Sequence, residues 1–268
     1  MNNRAFFLLT WNTVQKELRS KSFYMVIAIT IGMLVIGYSI MQAFREQIQV
    51  EGGPQMLGNG QLFWIYYAFI NAWSVFLALL FGLGCVRSDI SSNVIGQLLA
   101  FPINRTWYLI SRVLGSWLLV GFYQLLSFLL TAVLFFDAIK EIPVTAMILA
   151  PMISLLPTLA AVILGLFVSL WVGKAPGMIL TGLAAMGGSW ARSVFADAEN
   201  AFANLSLLKV VGLILWIVIP RFAAPHSIVQ NFAEMANTEI AWVDISQFGV
   251  ATVMIFIITN FVFKRRGF

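Results

Sequence analysis

Side chains able to do covalent or metal chemistry are scarce in this sequence and poorly grouped. There is one histidine, His226, just beyond a Pro-Arg-Phe stretch (Pro220, Arg221, Phe222), and one cysteine, Cys85, inside an apolar run. A transition-metal site needs several convergent ligands, and a lone cysteine excludes a disulfide within the chain. No G-x-x-x-x-G-K-[ST] phosphate loop occurs, because Gly173-Lys174 is followed by Ala175 and no glycine stands five positions before Gly173. The sequence therefore predicts a non-enzyme that holds no metal and no cofactor of its own.

The polar stretch 87–112 is the most suggestive remaining feature. It separates two charge-free runs of membrane length, 52–86 and 113–136. Within it, Ile90, Val94, Leu98 and Phe101 recur at about one helical turn and call for a partner surface. Asp89 stands near the start of that segment, where a carboxylate favours the positive end of a helix. Pro102 is expected to stop the helix, and Asn104 to cap the next one. The expectation is a short helix at the cytoplasmic surface, facing another protein.

The elements that hold this segment follow from composition. Of 268 residues, 60% are hydrophobic and only 10% charged, against about 25% charged in soluble domains. About 20 apolar residues cross a bilayer as helix. Runs at roughly 23–41, 62–86, 107–136, 145–172 and 242–263 qualify, and the first reads as a retained span rather than a cleaved signal. Pro151 and Pro157 are expected to kink the fourth. The stretch 175–220 is ambiguous: a short glycine-rich run carries Gly177, Gly182, Gly187 and Gly188, and 210–220 has the length of a re-entrant segment.

Charge parity favours one crossing there, six in all. Arg4, Lys16, Arg19, Lys21, Arg87, Arg105, Arg112, Lys174, Lys264, Arg265 and Arg266 then share the side of the termini, eleven of sixteen Lys and Arg. That imbalance predicts cytoplasmic termini. The net charge of +5 thus reflects membrane boundaries and not nucleic-acid binding. Of the acids only Glu17 and Asp89 fall inside, and the rest form a solvated outer set. The first 22 residues place Phe7, Trp11, Val14 and Leu18 on one helical stripe, predicting an interfacial helix lying on lipid.

Gln97-Leu98-Leu99-Ala100-Phe101-Pro102-Ile103-Asn104-Arg105, followed by Tyr108-Leu109-Ile110-Ser111-Arg112-Val113-Leu114-Gly115, resembles a pattern of type-2 ABC transporter permeases, "L-L-x-x-P-[VI]-[SN]-R … Y-x-x-[GS]-[KR]-x-x-G". The family often has a Glu and a Gly-Thr pair upstream of the proline. Here Asp89 and Asn93-Val94 stand in that stretch. The resemblance implies an all-α membrane protein, a single permease domain over 1–268 with six transmembrane helices. It implies an interfacial elbow helix at 1–22, a cytoplasmic coupling helix between spans two and three at 87–106, and short re-entrant outer helices at 201–240.

By the same resemblance, Asp89, Ile90, Val94, Gln97, Leu98, Phe101, Pro102 and Arg105 would seat in a separate ATPase that hydrolyses the ATP. Further partners are a second permease subunit, most simply a homodimer, and membrane lipids. The setting is a bacterial or archaeal-type plasma (inner) membrane. The four glycines of span five would permit close helix approach. Charge-free spans suit a hydrophobic or amphipathic cargo and disfavour an ion-coupled carrier, which keeps ionisable groups in the membrane. A non-transporting scaffold or assembly subunit is the other alternative.

Overall fold

The computed structural model describes residues 3–19, 21–50, 59–96, 104–134, 143–196, 206–233 and 242–266, and every regular element among them is helical. α1 (Asn3–Leu18) leads into α2 (Lys21–Val50). α3 (Asn59–Cys85) is followed by the short α4 (Arg87–Ser91). Then come α5 (Arg105–Leu134), α6 (Val144–Ser169) and α7 (Lys174–Ala191), which runs on as a π-helical turn over Arg192–Ala196. The short α8 (Leu207–Val218) and α9 (His226–Ala233) precede α10 (Trp242–Arg265).

Ile65–Ser91, Arg105–Leu134, Val144–Ser169 and Trp242–Arg265 are long and apolar enough to cross a bilayer. A fifth crossing results if α1 and α2, which meet at 62°, count as one bent span. The chain is an integral membrane protein of the all-α class.

α3 is the central helix, with α5, α6 and α7 all packed on it. Its contact with α6 is closest at two glycines. A Cβ on Gly82 would stand 2.4 Å from the Val162 carbonyl oxygen, and one on Gly165 would stand 2.6 Å from that of Leu79. Small residues let backbones approach in a medium where apolar side chains gain nothing by leaving lipid. Neutral polar rungs reinforce the bundle. The Trp73 indole donates to Thr30 Oγ1 at 3.0 Å, which also meets the Tyr123 hydroxyl, and Gln124 Nε2 donates to Asn71 Oδ1 at 3.1 Å.

α6 stays helical through both Pro151 and Pro157, with the Trp117 indole donating to the Leu155 carbonyl between them. α7 begins beside Arg87, with its Gly177 against Leu83 of α3, and reaches Asp244 of α10 through Arg192. α8 is capped by Ser206, whose Oγ accepts from Lys209 N at 3.3 Å, and packs back on α7. Of the four glycines expected to allow close approach, Gly177 and Gly188 do so. Gly187 makes an ordinary contact with Ile219, and a Cβ on Gly182 would meet nothing within 4 Å.

Candidate functional site

A carboxylate is buried directly after the central helix. α3 delivers the chain into α4, and Asp89, only 4% exposed, turns into the protein. Its Oδ1 accepts from Lys16 Nζ at 3.0 Å. Its Oδ2 accepts from the Tyr108 hydroxyl at 2.6 Å and from Arg112 Nη2 at 2.6 Å. Arg112 is itself 2% exposed and donates through Nη1 to Thr13 Oγ1 at 2.7 Å. Tyr108 lies under the Arg112 guanidinium and stacks on Phe263 of α10 at 5.9 Å between centroids. Charge-assisted bonds of this kind are about twice as strong as neutral ones. Nearby, burial pushes the Glu17 carboxyl above its ordinary range, against the lowering pull of Lys16 and Lys174.

Two arginines beside this node close helix ends. The last carbonyls of a helix lack intrahelical donors and carry partial negative charge. Arg87 Nη1 donates to the carbonyls of Ser169 at 3.2 Å and Val172 at 2.7 Å, finishing α6. Arg105 Nη1 donates to those of Lys264 and Arg266, each at 2.9 Å, finishing α10. Arg87, Asp89 and Arg105 thereby make bonds to α1, α5, α6 and α10.

The expected partner-facing stripe is divided by the structure. Ile90 is half-buried against the core and Ile95 is buried, while Val94 is exposed together with Ser91, Ser92, Asn93 and Gly96. The sequence predicts one helix through 90–101, but α4 ends at Ser91 and Asn93 adopts φ 54°. Asparagine tolerates this left-handed conformation better than most residues, so the chain breaks there and restarts at Val94. Gln97, Leu98, Phe101 and Pro102 lie outside the described residues. Asn104 caps α5 as expected, its Oδ1 accepting from Thr106 N at 3.0 Å.

On α1 the predicted interfacial stripe also divides. Phe7 and Trp11 are exposed, whereas Val14 and Leu18 lean on the core. The face that docks on α5 is made by Leu9, Thr10 and Thr13, with Thr13 over Gly115. Sequence reasoning missed Lys16, Tyr108 and Arg112 as partners of Asp89, and Thr13 as a partner of Arg112. A usable signal was present: an acid set between charge-free runs, on the cation-rich side, must find a cation.

His226 sits at the other end of the bundle, where its Nδ1 meets the Tyr67 hydroxyl at 2.7 Å and Ser154 Oγ donates to the same hydroxyl at 3.2 Å. Among the described residues no group of three His, Cys, Asp or Glu could hold a metal ion. Burial lowers the His226 pKa from 6.5 to about 4. Above pH 6.5 the ring is neutral folded or unfolded and contributes no pH dependence. Between pH 6.5 and about 4 the unfolded chain binds a proton that the folded chain refuses, so stability falls with pH, by at most about 3 kcal/mol. Melting curves at about pH 7.5 and about pH 4.5 should show a larger fall for the native chain than for His226→Gln. An equal fall in both would assign the effect to other groups.

No family model matches the sequence, and no curated protein is similar to it. The functional reading therefore stands on the residues and their geometry.

Proposed function

We propose that this chain is the membrane-spanning permease subunit of an ATP-binding-cassette exporter, driven by a separate ATPase. The observation that carries the reading is mechanical. Residues 91–94 expose a small polar surface, and Arg87, Asp89 and Arg105 are bonded to four helices. A push on that surface reaches α1 and α5 through Asp89 and α6 through Arg87, and α5 passes it to α10 through Arg105 at its start. An ATPase bound there shifts the conformational equilibrium only as far as its contacts differ between the two states.

In this reading α2, α3, α5, α6, α7 with its π-turn, and α10 form six crossings, and α1 is the elbow, offering Phe7 and Trp11 to lipid. Helix α7 supports the count because its ends lie beside Arg87 and Asp244, and its 18 residues rise about 27 Å. Both termini and the 87–105 segment are then cytoplasmic, in a bacterial or archaeal-type plasma membrane. Two such subunits, identical or similar, pair with two ATPases and alternate access for a hydrophobic or amphipathic cargo.

The test uses Val94, which is exposed and outside the ion cluster. With Cys85 replaced by Ser, a cysteine at position 94 should react with a membrane-impermeant thiol reagent in inverted vesicles and not in intact cells. Val94→Asp should leave the melting temperature unchanged and reduce co-purification of the ATPase at least about tenfold, the size of one desolvated interface anchor. Labelling from the cell exterior, or an undiminished ATPase yield, would overturn the proposal.

A further inference from the structure

The end of the bundle remote from Asp89 holds a cavity of about 900 Å³, between α3, α7, the 221–227 turn and the start of α10. Its two ends differ in chemistry. Along α3 it is walled by Ile65, Ala68, Ala72, Val75 and Phe76, and Met186 of α7 faces them. Ile65 and Met186 are among the exposed large hydrophobic residues, so the rim of this wall is apolar as well. At the other end Arg192, Arg221 and Asp244 line the space.

Both guanidiniums converge on one carboxylate oxygen. Arg221 Nη1 donates to Asp244 Oδ2 at 2.5 Å, and Arg192 Nη1 donates to the same atom. Asp244 is only 5% exposed. A guanidinium has five donors, and Arg221 Nε is buried with no hydrogen-bond partner. A charged donor left unsatisfied in a buried place is costly and favours an incoming acceptor.

The remaining polar lining is already engaged. Asn71 Nδ2 donates to the Tyr67 carbonyl while its Oδ1 accepts from Gln124, and the His226 Nδ1 faces Tyr67. Ser189 and Ser227 donate to backbone carbonyls of their own helical turns. The chemistry on offer is therefore guanidinium N–H beside hydrocarbon. A cationic ligand would compete with two arginines for Asp244, whereas a phosphate accepts from Arg in fork geometry.

We propose that this cavity binds an amphiphile with a phosphate headgroup, the phosphate on Arg221 and Arg192 and the hydrocarbon chain along the Ala68–Ala72 face of α3. The volume falls within the range of small-molecule sites, about 300–1,000 Å³. Binding is a property of this chain alone and needs no ATPase. Only the further step, that such an amphiphile is transported cargo, rests on the permease reading.

The experiment measures binding to the purified full-length chain in a non-ionic detergent, without ATPase, by native mass spectrometry. The probes are lysophosphatidylglycerol, a monoacylglycerol with the same acyl chain and no phosphate, and glycerol phosphate, which has no chain. The lysolipid should bind about tenfold or more tightly than the phosphate-free monoacylglycerol, as one charge-assisted hydrogen bond provides. Arg221→Gln should abolish that preference. Ala72→Trp, at an exposed wall position, should weaken both acyl-chain probes alike.

Equal affinity for the lysolipid and the monoacylglycerol, a preference that survives Arg221→Gln, or binding indifferent to Ala72→Trp would each overturn the proposal. So would glycerol phosphate binding as tightly as the lysolipid, which would mark a simple anion site. Should Arg221→Gln fail to fold, the headgroup comparison and Ala72→Trp decide between these outcomes. Failure of the Val94 experiment would leave all of these readouts unchanged, so the two ideas fail separately.

Discussion

Replacing Asp89 with Ala is expected to destabilise the protein by roughly 3–5 kcal/mol, because it strands a buried guanidinium. Arg112 is 2% exposed and its Nε already lacks a hydrogen-bond partner, so the loss of Asp89 leaves it Thr13, the Tyr108 ring and the weaker pull of the Glu17 carboxyl. Asp89→Asn should fall between native and Ala, since an amide oxygen still accepts from Tyr108 but carries no charge. Lys16→Ala should cost about 1 kcal/mol or less, because the Lys16 side chain is 42% exposed and its pairing is screened. The paired change Asp89→Ala with Arg112→Met should recover most of the loss, as apolar replacement of a whole buried ion pair often does. Melting temperature and monodispersity in detergent report all four. An Asp89→Ala protein that melts within the range of Lys16→Ala would show that the cluster does not hold α4 in place.

The same cluster marks where local sequence reasoning stops. The long apolar runs were legible because each is monotonous over a membrane thickness. The sequence places spans at 107–136, 145–172 and 242–263, and the helices are Arg105–Leu134, Val144–Ser169 and Trp242–Arg265. The Asn104 cap was legible too, since capping needs only a side-chain acceptor and a backbone donor two residues away. For Asp89 the sequence predicts only a local role at the start of a helix through 90–101, whereas the helix that carries it is Arg87–Ser91. Its partners Lys16 and Arg112 lie on two other helices, and no periodicity encodes them. The break at Asn93 was equally hidden, because Ile90, Val94, Leu98 and Phe101 keep helical spacing whether or not the backbone does.

Helix faces were misjudged for a different reason. In a soluble helix the apolar stripe points to the core, but in a bilayer both lipid and protein surroundings are apolar. On α1 the stripe of Phe7 and Trp11 points away from the bundle, and Thr10 and Thr13 make the contact with α5. Small and weakly polar residues are the better guide to the protein-facing side. The cavity has no signature in the sequence: Arg192 lies inside the ambiguous stretch 175–220, Arg221 directly follows it, and Asp244 is further along the chain.

Adding a methyl group at Gly82 or Gly165 should therefore be among the most damaging single changes in the chain. At Gly82 the new Cβ would lie 2.4 Å from the Val162 oxygen and 3.0 Å from its carbonyl carbon. At Gly165 it would lie 2.6 Å from the Leu79 oxygen and 3.1 Å from the Leu83 nitrogen. These obstacles are backbone atoms of regular helices, so relief requires α3 and α6 to separate along their length. Overpacking of this kind costs about 1–3 kcal/mol, at times more, and outweighs the roughly 1 kcal/mol by which Ala improves on Gly inside a helix. Gly84→Ala supplies the internal control on the same helix, since its Cβ would meet nothing within 4 Å, and it should be neutral or slightly stabilising. Gly177→Ala is the intermediate case: its closest neighbour, at 2.8 Å, is the Cδ2 methyl of Leu83, which can rotate away. The double change Gly82→Ala with Gly165→Ala should cost less than the sum of the two, because the first has already opened the gap that the second needs. Strict additivity, or a Gly82→Ala protein as stable as Gly84→Ala, would mean that α3 and α6 are not in backbone contact and that the bundle is organised around some other pair.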